Sequence, residues 1–209
     1  SSRGPQNEDE IVDKLVKLKV NILYVIGGDG TLRGASKIVE AIERRNLKIA
    51  VIGIPKTIDN DIAYIDKSFG SETAFSKACT AIEAAHTEAK GAMNGIGIVK
   101  VMGRHSGFIA ANATLATNDV NFVLVPEIKF ELDGEKGFLA TLKKRFRHSN
   151  HAVILVAEGA GQGFFENMEK KYDPSGNEKL NDIGLFLKDK IKEYFANEEF
   201  PFPLSFPQT

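Results

Sequence analysis

The residues best suited to chemistry lie in one short stretch, from Pro55 to Asp61. It follows an apolar run, 49–54, that is typical of a buried strand, and ligands bind at such strand ends in open α/β sheets. The stretch offers one lysine, one hydroxyl and two carboxylates, namely Lys56, Thr57, Asp59 and Asp61. If the backbone is extended, the last three side chains project to one side and converge on one substrate group.

An aspartate in such a loop can take a proton from a substrate alcohol as a general base. A lysine and a metal ion can neutralise charge on an incoming phosphoryl group, so the set is typical of a kinase. The alternative is a solvated turn over residues 59–61, because Asp and Asn dominate turns for local reasons.

A second candidate stretch, Gly27 to Thr31, follows the apolar run 20–26. Its glycines would let a phosphate approach backbone N–H groups, and the N-terminus of a following helix adds a favourable dipole. Asp29 could hold Mg²⁺ on the phosphate oxygens, since that ion prefers oxygen ligands. An ordinary tight turn is the alternative.

The elements that must position these stretches alternate between strand and helix. Apolar periodicity predicts helices over 7–18, 32–45, 70–88, 108–116, 138–146 and 182–195. It predicts strands over 20–26, 49–54, 96–101, 122–125 and 152–157. Residues 20–54 therefore form a βαβ unit. Two later strand ends carry Arg104, which could bind phosphate, and Glu158, which could accept sugar hydroxyls or cap a turn. His105 could act as an acid or base, but it is interpreted as a surface histidine or one whose hydrogen bonds are satisfied.

Composition limits the classes of protein that remain. The 209 residues are 43% hydrophobic and 26% charged, which suits one large or two small domains. The net charge of −1 predicts neither a nucleic-acid nor a membrane partner. The single cysteine excludes an internal disulfide and favours a cytoplasmic location, and no apolar run is long enough to predict a membrane span. The chain starts without Met, so we expect a fragment.

Four motifs together resemble the 6-phosphofructokinase family, most closely its plant-like and trypanosomal ATP-dependent branch. They are GGDGT at 27–31, PKTIDND at 55–61, MGRHSGF at 102–108 and AEGAGQ at 157–162. The resemblance and the element order imply an α/β fold, a three-layer doubly wound sheet with two Rossmann-like regions. Residues 1–70 would form the nucleotide side and 71–209 the sugar-phosphate side, with the active-site cleft between them.

The family activity implied is phosphoryl transfer from ATP to the 1-hydroxyl of fructose 6-phosphate, giving fructose 1,6-bisphosphate, with Mg²⁺ and in a homo-oligomer. By resemblance, Asp59 is the general base in a catalytic set of Asp59, Lys56, Thr57 and Arg104, and Thr57 and Asp61 help to place substrate and metal. The nucleotide is bound by Arg3, Gly4, Gly28, Asp29, Gly30 and Thr31, with Mg²⁺ on Asp29. The sugar phosphate is bound by Thr57, Ile58, Asp59, Met102, Gly103, Arg104 and Glu158.

The phosphoryl donor depends on two positions. A carboxylate in place of Gly30 would repel the α-phosphate of a nucleotide, so Gly30 favours ATP. Lys56 is the residue that the pyrophosphate-using relatives carry, and the two residues together resemble the ATP-using plant-like branch. The alternatives are a pyrophosphate-dependent phosphofructokinase and a non-catalytic fragment that binds nucleotide or subunits. NAD and lipid kinases share GGDGT, but PKTIDND and MGR argue against them.

The chain also departs from the family pattern at both ends. The family begins with a strand and glycine loop, and it ends with an arginine and histidine segment that binds the 6-phosphate. Neither is present in these 209 residues. We therefore expect the N-terminal part of the first region and the C-terminal part of the second to be missing.

Overall fold

The computed structural model of the chain describes residues 7–169, 171–172 and 178–196. Among these residues the helices are α1 Glu8–Lys17, α2 Asp29–Arg44, α3 Ser71–Gly91, α4 Phe108–Thr117, α5 Phe138–Arg145 and α6 Ile183–Ala196. The strands are β1 Ile22–Gly27, β2 Ala50–Thr57, β3 Phe69–Gly70, β4 Gly95–Val101, β5 Phe122–Leu124, β6 His151–Ala157, β7 Lys171–Tyr172 and β8 Glu178–Lys179. The described helices include none that is both long and apolar enough to cross a membrane.

The chain divides into two compact units. The described residues of the first are 7–71, 172 and 178, and those of the second are 72–169, 171 and 179–196. Each unit has a three-stranded parallel sheet with helices packed on it, in the orders β1-β2-β3 and β4-β6-β5. The predicted parallel α/β fold is therefore confirmed.

The first unit begins with a helix whose sequence specifies both of its ends. The Asn7 side chain caps α1 by accepting a hydrogen bond from the Glu10 amide (3.3 Å). Acidic residues occupy the first turn of α1 and Lys14 and Lys17 the last turn, which complements the helix dipole. The helix buries Val12 and Leu15 against Ile38, Ala41 and Ile42 of α2.

The two faces of the β1–β2 sheet differ in how well they are covered. Leu23 and Val51 pack against the α1–α2 core. On the opposite face, large apolar side chains of both strands remain 42–58% exposed: Ile22, Tyr24, Ile26 and Ile52. Tyr24 and Ile52 are direct neighbours in the strand register. Because parallel sheets are usually buried on both faces, this apolar surface is unusual.

In the second unit the central strand is β6, and its residues Ala152 to Ala157 are 0% exposed. On one face, Ile154 and Ile96 pack against Leu142 of α5 and Leu187 of α6. On the other face, a Cβ on Gly97 would already touch Ala85 of α3, so that helix lies directly on the strand. Helices therefore cover both faces of this sheet and give it three layers.

Two of the predicted boundaries that were wrong lie beside the candidate site. Helix α2 begins at Asp29 and not at residue 32, because the amides of Thr31 and Leu32 already bond to the Gly28 carbonyl (2.9 and 3.0 Å). Strand β2 continues through Pro55 to Thr57 and does not stop at residue 54. Pro55 pairs with Gly27 of β1, and β3 extends the pairing at Lys56 and Thr57.

Candidate functional site

In the first unit, the structure brings the GGDGT turn against the end of β2. Gly28 caps the N-terminus of α2, and a Cβ placed on it would lie 3.5 Å from Cβ of Thr57 and 3.7 Å from the Lys56 carbonyl oxygen. A Cβ on Gly27 would overlap the Thr31 side chain, so only glycine fits there. The two motifs therefore meet at the carboxyl edge of the sheet, as expected for neighbouring parallel strands.

Asp29, Gly30 and Thr31 lie in the first turn of α2, where backbone amides and the helix dipole favour an anion. The Asp29 carboxylate pairs with Arg33 one turn later, and both side chains are exposed. Sequence reasoning missed Arg33, although its spacing from Asp29 is the usual one for an ion pair on a helix.

Asp29 is the candidate ligand for a metal ion. The described residues contain no group of three side chains able to hold a metal. Mg²⁺ usually takes one or two carboxylates and completes its shell with substrate phosphates and water. A single exposed carboxylate at a helix N-terminus fits an ion of that kind.

The loop after β2 bends, so the extended backbone that would point Thr57, Asp59 and Asp61 to one side is not formed. The Asp59 amide donates to Thr57 Oγ1 (3.2 Å), and that hydroxyl lies 3.5 Å from Asp59 Oδ2. Asn60 then adopts a left-handed backbone, with φ of 53°. Thr57 and Asp59 are therefore brought together by a turn, whereas Asp61 is exposed beyond it.

The turn that sequence reasoning held as an alternative is thus present, and it carries Asp59. Its side-chain bonds reach forward in the chain: the Ser68 amide donates to Asn60 Oδ1 (2.7 Å), and the Ser68 hydroxyl donates to the Thr57 carbonyl (2.7 Å). Sequence reasoning assigned no role to Asn60 or Ser68. Only the preference of Asn for left-handed turn positions pointed to the first of them.

In the second unit, the ends of β4 and β6 bring the MGR and AEG motifs together. The Glu158 amide donates to the Val101 carbonyl (2.9 Å), and the Gly159 amide donates to the Gly103 carbonyl (3.0 Å). A Cβ on Gly159 would overlap the carbonyl oxygen of Arg104. The backbones that carry Arg104 and Glu158 are therefore in direct contact.

Gly103 has a φ of 132°, and a Cβ there would overlap the Ser106 carbonyl oxygen. Arg104 is half-buried, whereas Met102 is exposed. His105, which was interpreted as a surface residue, is exposed. Glycine at position 103 is thus required by both its backbone conformation and its close contact.

Two side chains that sequence reasoning missed hold these loops from outside the motifs. Glu127, just after β5, accepts a hydrogen bond from the Gly107 amide (2.7 Å) at the start of α4. The Gln162 side chain donates to the carbonyls of Glu158 (2.8 Å) and Asn181 (3.1 Å), and it accepts from the Asn181 amide (3.2 Å). No local sequence signal identifies either contact, because each joins separate elements.

Asp182 precedes α6 and has a shifted pKa. Burial raises the pKa of Asp182, but the hydrogen bonds from Lys100 (2.5 Å) and the Leu185 amide (3.1 Å) outweigh it and leave the pKa lowered. This aspartate therefore stays ionised and ties α6 to β4.

The pKa of His151 is also shifted from its ordinary value. Burial and the neighbouring His86 ring, whose centroid lies 5.1 Å away, lower the pKa of His151. His151 is the first residue of β6, whereas Glu158 follows its last residue. The histidine therefore lies at the opposite end of the strand from the candidate site.

Arg3 and Gly4, which were predicted to bind nucleotide, lie outside the described residues. Lys56 is exposed near the end of β2, and Ile58 is half-buried in the loop that follows. The division of roles between residues 1–70 and 71–209 stays a prediction.

Parallel sheets with glycine-rich turns and clustered polar residues at their carboxyl edges define an α/β protein suited to phosphate-bearing ligands. The family model described as Phosphofructokinase matches residues 1–199. The chain therefore belongs to the phosphofructokinase family, and the predicted resemblance is confirmed.

Curated relatives named ATP-dependent 6-phosphofructokinase match most of this chain. The one from Borreliella burgdorferi is 53% identical over 99% of this chain and 47% of its own length. One from Arabidopsis thaliana, numbered 7, is 50% identical over 99% of this chain and 43% of its own. One from Trypanosoma brucei brucei is 48% identical over 97% of this chain and 41% of its own.

Among solved structures, the T-state phosphofructokinase of Pichia pastoris superimposes with a TM-score of 0.69 at 21% identity, covering 96% of this chain and 20% of that one. This likeness supports the fold. The chain spans somewhat less than half the length of the curated relatives described above.

Proposed function

We propose that the protein transfers the γ-phosphoryl group of ATP to the 1-hydroxyl of fructose 6-phosphate, giving fructose 1,6-bisphosphate and ADP. The observation that carries this proposal is the contact between two motifs in the first unit: Gly28, in the turn suited to phosphate, lies beside Thr57, whose hydroxyl bonds to Asp59. A phosphate site and a candidate proton acceptor are thus neighbours. The relatives' names supply the particular reaction.

In this proposal Asp59 accepts the proton of the sugar hydroxyl as the oxygen attacks the γ-phosphorus atom. The new bond joins that oxygen to phosphorus, and the bond from phosphorus to the ADP oxygen breaks. Lys56 and Arg104 neutralise charge on the transferring group, while Thr57 and Asp61 help to place substrate and metal. The sugar phosphate is further bound by Ile58, Met102, Gly103 and Glu158.

The nucleotide phosphates would be held by Gly28, Gly30 and Thr31, with Arg3 and Gly4 completing the set. Mg²⁺ would bind Asp29 and, when bound, neutralise phosphate charge. Because Arg33 pairs with the same carboxylate, a bound metal would have to displace that guanidinium or share the carboxylate with it. We assign nucleotide binding to residues 1–70 and sugar-phosphate binding to residues 71–209, in a cytoplasmic homo-oligomer.

A pyrophosphate-dependent reaction is the second candidate, and Lys56 is the residue that favours it. Gly30 favours ATP because it places no side chain near the α-phosphate. The relatives named ATP-dependent support the same choice. Gly30→Asp should therefore weaken the use of ATP more than the binding of fructose 6-phosphate, and equal loss of both would contradict the donor assignment.

The test is a phosphoryl-transfer assay with fructose 6-phosphate and Mg²⁺, offering ATP and pyrophosphate separately to one preparation of recorded intact mass. Turnover with ATP supports the proposal, whereas turnover with pyrophosphate alone would show that Lys56 outweighs Gly30. No turnover with either donor would leave a non-catalytic member of the family. Size-exclusion chromatography with light scattering tests the oligomer.

A further inference from the structure

The loop that joins β2 to β3 is closed by two side chains, Asn60 and Ser68, which we call the Asn60–Ser68 clasp. Asn60 Nδ2 donates to the Asp66 carbonyl (3.1 Å), and Asn60 Oδ1 accepts from the Ser68 amide (2.7 Å). Both the nitrogen and the oxygen of the Asn60 side chain are therefore hydrogen-bonded. These bonds close the loop between Asn60 and Ser68.

The Ser68 hydroxyl extends the clasp to the residue that contacts Asp59. This hydroxyl has one proton and lies 2.7 Å from the Thr57 carbonyl but 3.2 Å from Asn60 Oδ1, so the shorter contact is the donated bond. Thr57 Oγ1 in turn accepts from the Asp59 amide. Ser68 is only 5% exposed, and a buried hydroxyl keeps its partner because water cannot replace it.

We propose that Asn60 and Ser68 are positioning residues for Asp59, an inference that rests on the proposed function. The clasp fixes the left-handed turn at Asn60 and the backbone of Thr57, and these lie on either side of the segment that carries the carboxylate. A general base acts only within hydrogen-bond reach of the proton that it takes. Displacement of a reacting group by about 1 Å can lower turnover by about 100-fold.

The central variant is Asn60→Gly, which removes both side-chain bonds and leaves a residue that tolerates the left-handed backbone. Tyr64→Gly is the matched control, since Tyr64 is in the same loop, has a φ of 65° and is fully exposed. It adds the same glycine flexibility without breaking a clasp bond. Asn60→Asp is the conservative variant, because its Oδ1 still accepts from the Ser68 amide.

In the full-length protein, Asn60→Gly should lower kcat by about 10- to 100-fold while the KM values for both substrates change by less than about threefold. Asn60→Asp should recover part of that loss, and Tyr64→Gly should stay within about twofold of the wild type. Thermal unfolding of each variant separates lost turnover from lost fold. Should Asn60→Gly fail to fold, Ser68→Ala, which removes one oxygen, tests the same clasp.

The decisive comparison is made in the Asp59→Asn background. If the clasp acts through Asp59, adding Asn60→Gly to Asp59→Asn causes no further loss of kcat. An equal loss in both backgrounds, or a control variant as impaired as Asn60→Gly, would overturn the positioning role. If Asn60→Gly keeps wild-type activity while Asp59→Asn loses it, the positioning role of the clasp is overturned and the proposed function is not. Absence of turnover in the wild type would overturn the proposed function and the positioning role together.

Discussion

The two units hold their candidate loops by different physical means. In the first, side-chain hydrogen bonds from Asn60 and Ser68 shape the loop around Asp59. In the second, glycines allow backbone segments to touch, as where Gly159 meets the Arg104 carbonyl, and two side-chain hydrogen bonds add to these contacts. A hydrogen bond can be weakened by degrees, whereas a glycine contact is broken by any side chain. Substitutions in the first loop should therefore weaken it by an amount that depends on the residue introduced. In the second loop, a side chain at a contacting glycine should disrupt the loop altogether.

The largest effect is expected from Asp59→Asn in the first unit. The substitution removes the proton acceptor with little change in shape, so kcat should fall by about 10²- to 10⁴-fold while the melting temperature hardly changes. Steady-state kinetics and calorimetry measure the two quantities. Asp66→Asn, which changes an exposed carboxylate of the same loop, is the control. Near-normal turnover of Asp59→Asn would refute the assignment of the base.

Gly159→Ala and Gly28→Ala compare two kinds of glycine. One has backbone in the space of its missing Cβ, and the other has room for a Cβ. At Gly159 the new methyl would collide with backbone, so the free energy of unfolding should fall by about 2–3 kcal/mol. At Gly28 the methyl would meet Thr57 at 3.5 Å, an ordinary contact, and the fall should be under about 1 kcal/mol. Urea unfolding measures both. Similar values for the two variants would remove the distinction between the two kinds of glycine.

Glu127→Ala tests a hydrogen-bonded side chain that supports the loop after β4. Loss of its bond to the Gly107 amide should loosen the loop that carries Arg104 and raise the KM for fructose 6-phosphate about fivefold. Glu127→Gln keeps an acceptor oxygen and should change KM by less than about twofold. A rise in the KM for ATP alone would instead assign Glu127 to nucleotide binding.

The smallest effect concerns pH and only the second unit, since all four histidines of the chain lie after residue 71. Burial, and then His86, Arg145 and Lys90, lower the pKa of His151, and Asp119 opposes them. The unfolded state therefore binds this proton first as the pH falls. The contribution of His151 to stability is fully present above the unfolded pKa of about 6.5 and is lost as the pH falls from there through the lower folded pKa.

His151→Gln should accordingly flatten the pH dependence of stability between pH values of about 5.5 and 7.5, and this effect should be smaller than those of the substitutions above. His148→Gln, at an exposed histidine, should leave that dependence unchanged. Amide hydrogen exchange at the two pH values would assign the change to one unit. An equal response in the first unit would contradict the assignment to His151.

How far the sequence predicted the fold depended on whether each element was specified locally. Strand β6 is a continuous apolar run and was predicted within one residue of its observed start. The continuation of β2 past Pro55 was not predicted, because it depends on pairing with Gly27 of another strand. The two-residue strand β3 was also missed, since so short a segment has no periodicity.

The candidate site follows the same rule. Motif residues such as Gly28 and Asp59 were identified from local spacing and from family resemblance. The contact between Arg104 and Gly159 was not foreseen, because it requires β4 and β6 to be neighbours although β5 lies between them in sequence. Ser68 likewise reaches Asn60 across eight residues, a distance at which no turn rule applies.

The exposed apolar face of the β1–β2 sheet also has a spectroscopic consequence. The 209 residues contain no tryptophan, and Tyr24 lies on this face beside Ile52. A Tyr24→Trp substitution would therefore place a single indole on that face. The fluorescence emission of an indole shifts to shorter wavelength when the ring is removed from water. The spectrum of this variant would therefore show whether that face is exposed to solvent or covered.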